Sequence, residues 1–246
     1  MIEASTLIIV ALIILVASSV KGLTGFGFAL TSMPLLTIFL EPRTAVPLIT
    51  MCSVFLDGYT LWEARKQVQY KGIIPLVISG IIGMTMGTYF LVSLDSEDIR
   101  LGIGVVTIIF TIASMMGIRK EISNIKMASI PVGLVSGILG GSMSISGPPI
   151  VLFFNNQNIE KTTFRANVIA YFFSLYIATV PAYMFGNLIT TDLLSSSAIM
   201  VPIMFVGATM GIKLSRKVDE LIFKKIALTL VLITGIMAIL SALRIL

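Results

Sequence analysis

The sequence predicts an all-α polytopic membrane protein built from two inverted five-segment repeats, with 8–10 membrane helices and the first two segments of each repeat broken or re-entrant. Three observations predict this. Of 246 residues, 57% are hydrophobic and only 12% charged, with a mean hydropathy of +1.03; soluble domains carry about a quarter charged residues. Apolar stretches long enough for a hydrocarbon core of ~30 Å recur along the whole chain. The basic residues collect in short loops between those stretches.

The same composition excludes several classes. There is no His, the side chain used most often for acid–base work near neutral pH and as a metal ligand. Cys52 is the one cysteine, so an internal disulfide and a Cys-based metal cluster are excluded. Neither a metal nor another cofactor is expected, and the chain does not read as an enzyme. The net charge of +5 is the charge of cytoplasmic loops, not of a nucleic-acid partner. Met1–Ser19 is apolar but begins with Glu3 and lacks a basic start, so it reads as the first structural helix and not as a cleaved signal.

Charged and turn residues cut the first half into Ala4–Val20, Leu23–Leu40, Thr44–Trp62, Gly72–Leu94 and Ile99–Ile118. A polar connector, Arg119-Lys120-Glu121-Ile122-Ser123-Asn124, follows. The series then restarts with Ile125–Gly140, Met143–Phe154, Ala166–Phe185, Leu193–Leu214 and Phe223–Leu243. The expected organisation is a first repeat over 1–118, a cytoplasmic connector over 119–124 and a second repeat over 125–246. Sequence echoes support duplication. Gly22-x-x-Gly25 with Pro34 recurs as Gly137-x-x-Gly140 with Pro149, and Gly83-Met-Thr-Met-Gly87 recurs as Gly207-Ala-Thr-Met-Gly211. The acidic turn at Asp95 matches Asp219.

Loop charge orients the chain. Arg65, Lys66 and Lys71 share one loop, Arg119, Lys120 and Lys126 another, and Lys213, Arg216, Lys217, Lys224 and Lys225 a third. The loop holding Asp95, Glu97 and Asp98 is acidic, and that at Asp192 has no basic residue. With Lys161 and Arg165, the cytoplasmic side takes 13 of 17 Lys and Arg, leaving Arg43, Arg100 and Arg244 outside and Lys21 at a segment break. The positive-inside rule therefore places both termini outside the cytoplasm. The first half starts outside and the second inside, the inverted plan that recurs among transporters with a midplane site.

Two stretches, Ser18–Pro34 and Gly137–Pro149, are dense in Gly, Pro and Ser. Gly permits left-handed backbone and Pro removes a donor, so a helix there should break. Broken backbone at membrane depth is tolerated where it is buried in protein or lines a polar cavity, and matched breaks in two halves point to a transporter site. The alternative is that the glycines form packing seams.

The same stretches, GLTGFGFALTSMPLL and GILGGSMSISGPPIVLFF, resemble the paired glycine-rich signatures of the TauE/SafE sulfite-exporter family, the TSUP transporters, over nearly the full chain. The resemblance implies movement, as an exporter, of sulfite, sulfonates or related small organic anions across the inner membrane. The breaks and the polar residues in and near them place the expected substrate site at Lys21, Gly25, Gly27, Thr31, Ser32, Gly140, Gly141, Ser142, Ser144, Ser146, Asn155 and Arg165, with Asp57 as a coupling or gating group.

Several of these residues have two readings. Lys21 is either an ammonium working at membrane depth or a basic residue snorkelling from a helix tip. Arg165 is a cytoplasmic anchor or a gate ligand whose planar fork suits oxyanions. Asp57 pairs with Lys21, carries a coupling proton, or reaches interfacial water. The motif hydroxyls donate to an oxyanion or bond back to their own helices. Asn155 opens an amide run that reads most simply as a solvated turn. No GxxxxGK[ST] is present, so energy must come from an ion gradient (proton or sodium), the substrate gradient or a partner ATPase. Expected partners are a small sulfur-containing anion and the lipid bilayer, with homo-oligomerisation open. A subunit of a larger membrane complex and an intramembrane enzyme with a Ser/Lys dyad are the competing readings.

Overall fold

A computed structural model describes residues 4–116, 124–157, 159–214 and 220–243. Among these, every regular element is helical. The α-helices are α1 (Ala4–Thr24), α2 (Phe28–Phe39), α3 (Pro42–Ala64), α4 (Tyr70–Ser93), α5 (Ser96–Met115), α6 (Ile125–Met143), α7 (Gly147–Asn155), α8 (Lys161–Phe185), α9 (Thr191–Leu214) and α10 (Glu220–Ala242), with a 3₁₀ turn at Arg65–Gln67. The chain is an all-α polytopic membrane protein. Among the described residues, seven helices are long and apolar enough to cross a bilayer. Of the connector expected over 119–124, only Asn124 is described, and its side chain caps α6 by accepting from the Met127 N–H at 3.1 Å. Arg119, Lys120, Arg216, Lys217, Asp219 and Arg244 lie outside the described residues.

The second segment of each half is short. α2 has 12 residues and α7 has 9, so at ~1.5 Å per residue they reach about 18 and 14 Å, well under a ~30 Å hydrocarbon core. Each follows a break. The first spans Gly25–Gly27, with both glycines left-handed (φ 85° and 94°). The second follows Met143, where Ser144 is left-handed (φ 58°). These breaks lie later than the segment boundaries expected at residues 21–22 and 141–142, because Gly22 and Gly141 stay helical. The register between the breaks differs as well. Thr24 and Met143 end their helices, Gly25 and Ser144 turn left-handed, and Gly27 and Ser146 precede the next helix. Each pair is offset by 119 residues (143 minus 24), not the 115 of the GxxG echo. Pro34 also departs from expectation, since it sits inside α2 without ending it, whereas Pro148 and Pro149 open α7.

Glycines seat helices of one half on helices of the other. A Cβ at Gly83 or Gly87 of α4 would collide with the Leu134 or Ile138 carbonyl of α6, and one at Gly137 or Gly141 would collide with the Gly80 or Met84 carbonyl of α4. Likewise Gly207 and Gly211 of α9 press on the Leu15 and Ser19 carbonyls of α1, and Gly22 presses on that of Ala208. Small residues allow this approach in lipid, where packing drives helix association. α5 and α10 form a further cross-half pair through Gly104 and Gly235. α3 lies against α8 in the interior, and large apolar side chains such as Ile8, Leu12, Ile78, Ile82 and Ile109 are exposed on the outer faces, as a lipid solvent requires.

Candidate functional site

Both breaks open onto one small cavity. Its walls include Lys21 from the end of α1, Phe26 and Gly27 from the first break, Ser144 and Ile145 from the second, and Tyr176 from α8. Space for water centres inside is ≈ 20 Å³, enough for a water or two.

Lys21 lies in the last turn of α1. It is 7% exposed and its ammonium is ion-paired with Oδ1 of Asp57 on α3, which is fully buried. The ammonium also lies 5.8 Å from the Phe28 ring centroid, within the range of a cation–π contact. Both side chains are thus enclosed by the bundle and paired with each other. Oδ2 of Asp57 has no hydrogen-bond partner.

The start of α2 forms another wall. Gly27 precedes it without a side-chain cap, and Phe28, Ala29 and Leu30 line the cavity. The first N–H groups of a helix lack intrahelical acceptors and, with the helix dipole, favour an anion. The second break is fixed from both sides. Ser144 shares a hydrogen bond of 3.0 Å with Thr50 of α3, and Ser136 donates to the Ser146 carbonyl at 2.7 Å. Tyr183 donates to the Gly141 carbonyl at 2.9 Å. A cation, hydroxyls and a helix N-terminus around an interior space form a chemical setting for a small anion.

Arg165 is half-buried near the start of α8 and packs over Gly25; a Cβ there would lie 2.9 Å from its Nε. Other expected residues are placed differently. Ser32 and Ser142 bond to the Phe28 and Ile138 carbonyls of their own helices at 2.8 and 2.7 Å. Thr31 is buried on α2 with its hydroxyl unpartnered. Gly140 backs the Ser146 side chain, and Gly141 is a seat for α4. Asn155 is exposed at the end of α7, outside the cavity wall. Sequence reasoning missed Thr50, Phe172, Tyr176 and Tyr183. The spacing of the α8 tyrosines along one helix was the available signal, and it does not separate a cavity wall from ordinary core.

The model of the family described as sulfite exporter TauE/SafE matches residues 10–238. Neither curated proteins nor solved structures gave a match. With nearly the whole chain covered, including both breaks and every helix but the ends of the first and last, this membrane protein belongs to the TauE/SafE sulfite exporter family of transporters.

Proposed function

We propose that the chain is a secondary transporter of small sulfur-containing anions such as sulfite and short sulfonates, working as an exporter in a cell's inner membrane with both termini outside the cytoplasm. The observation that carries this reading is the Lys21 ammonium, buried inside the bundle on a cavity lined by both helix breaks. A charge there is costly in lipid and is retained where it serves a pathway. The cavity as it stands holds water, and an anion needs it to widen. Alternating access then follows from motion of one half against the other. The cross-half pairs α4–α6, α1–α9 and α5–α10 support a duplication, because exchanging each helix for its counterpart in the other half turns α4–α6 into α9–α1 and α5–α10 into itself. Ser144, Tyr176 and the α2 N-terminus supply donors to the anion, and Arg165 gates the approach beside Gly25.

The test is flux through the purified chain in liposomes, with sulfite and methanesulfonate against chloride and acetate. Saturable, sulfur-anion-selective counterflow that falls at least about tenfold in Lys21→Ala, a loss of ~1.4 kcal/mol or more of interaction, and falls further below wild type in Ser144→Ala than in a distant control is the expected result. Equal flux of chloride and methanesulfonate would overturn the substrate class. No saturable flux by any of the four would overturn the transporter reading for the chain alone.

A further inference from the structure

An anion that enters this cavity meets an ammonium that is already neutralised. Lys21 and Asp57 pair in the interior, 7% and 0% exposed. Among the described side chains, no other formal charge is ion-paired with either of them. Tyr176 of α8 lines the same cavity as Lys21, and Arg165, on the same helix, packs at Gly25. α2 carries no titratable residue, and α5, α6 and α9 carry their charges only near their ends; on α3 itself, Arg43 and Glu63 lie near the termini. Adding a monovalent anion would leave two negative charges on one ammonium at membrane depth. Like charges sharing a desolvated site shift one of the two acids toward its protonated form, and net charge in the bilayer interior is costly. Methanesulfonate is the anion of a strong acid and cannot take that proton. Asp57 can, and its Oδ2 is buried without a hydrogen-bond partner.

We infer that Asp57 is an exchangeable counter-ion, so that a substrate anion displaces it from Lys21 only as Asp57 takes up a proton. The balance is simple. The empty site holds one carboxylate and one ammonium, and the loaded site holds one carboxylic acid, one ammonium and one monovalent anion. Each is neutral, and one proton enters with each anion. The proton leaves when the anion does and the Lys21–Asp57 pair re-forms. This rests on the transporter reading above and adds the coupling ion and the residue that carries it.

The experiment uses the full chain in liposomes, with methanesulfonate as the probe and a trapped pH dye reporting proton movement. Wild type should move about one proton per anion. With one proton taken up per anion bound, apparent affinity should weaken about tenfold per pH unit on the alkaline side. In Asp57→Asn the protons moved per anion should fall to about zero and the pH dependence should vanish. Wild-type flux without protons overturns this inference and leaves the transporter reading standing. Absence of saturable flux for methanesulfonate and sulfite overturns both. If sulfite alone moves, the count is made on sulfite after subtracting its own bound proton, and zero remaining overturns the inference. Should Asp57→Asn fail to fold, the wild-type proton count still decides.

Discussion

Lys21 and Asp57 sit 36 residues apart in the chain and bond to each other inside the bundle. A buried pair of this kind adds little over an apolar pair of similar size, but removing one partner strands a charge, at a cost of ~3–5 kcal/mol. Lys21→Met should therefore destabilise the protein by about that amount, and Lys21→Met with Asp57→Leu should recover most of it, read as denaturant or thermal unfolding in detergent. A double variant no more stable than the single would mean that the pair does not exist. Neither variant should transport, so stability and function separate cleanly at this site. Gly25 offers a second residue-level test, since it needs both its left-handed φ of 85° and the space filled by Arg165. Gly25→Ala should cost ~1–2 kcal/mol for the backbone alone, and more for displacing the guanidinium. In an Arg165→Ala background the steric part should vanish and the backbone part remain, so an unchanged cost would show that Arg165 does not press on Gly25.

At the scale of helices, glycine works in two distinct ways. Gly25 and Gly27 turn the chain, whereas Gly83, Gly87, Gly137, Gly141, Gly207, Gly211 and Gly22 let backbones touch. Leu at Gly87 or Gly211 must push against a facing backbone carbonyl, which cannot rotate away as a side chain does. Overpacking of ~1–3 kcal/mol or more is expected, seen as a lower midpoint in thermal unfolding followed by size exclusion. Gly72→Ala is the control, with nothing within 4 Å of the added methyl, and should stay within about 0.5 kcal/mol of wild type. A seam variant as stable as that control would remove the close approach from the account. The same duality explains what could be read from sequence. Ten apolar segments stand out because lipid admits few charges, and Lys21 and Asp57 stand out as candidates for the same reason. The glycine echo and the breaks differ in offset by four residues, since Gly22 looks like a breaker in a sequence and is a packing seat in the bundle. Asn155 followed directly on the second motif yet lies exposed, because α7 ends there. Thr50, Tyr176 and Tyr183 had no such mark, as a hydroxyl facing a cavity and one packed in a core share the same helical period.

For the whole molecule, the decisive quantity is which membrane face each loop occupies, because inversion is a statement about sides and helix packing alone does not fix them. α4, at 24 residues, is about 36 Å long and long enough to cross, so Gly72 and Ser93 near its ends, both exposed, mark opposite faces. Cys52 is fully buried, which keeps the native thiol silent to a membrane-impermeant maleimide. In intact cells Ser93→Cys should label directly, beside the acidic turn at Asp95, and Gly72→Cys only after permeabilisation, beside Arg65, Lys66 and Lys71. In the second half, Asp192→Cys near the start of α9 should label like Ser93→Cys. Lys213→Cys should label like Gly72→Cys. That pattern gives α4 and α9 opposite directions along the chain, which is the inversion itself. If Gly72 and Lys213 label from different faces, the halves run parallel, the two breaks no longer approach from opposite sides, and alternating access about a shared midplane cavity loses its geometric basis.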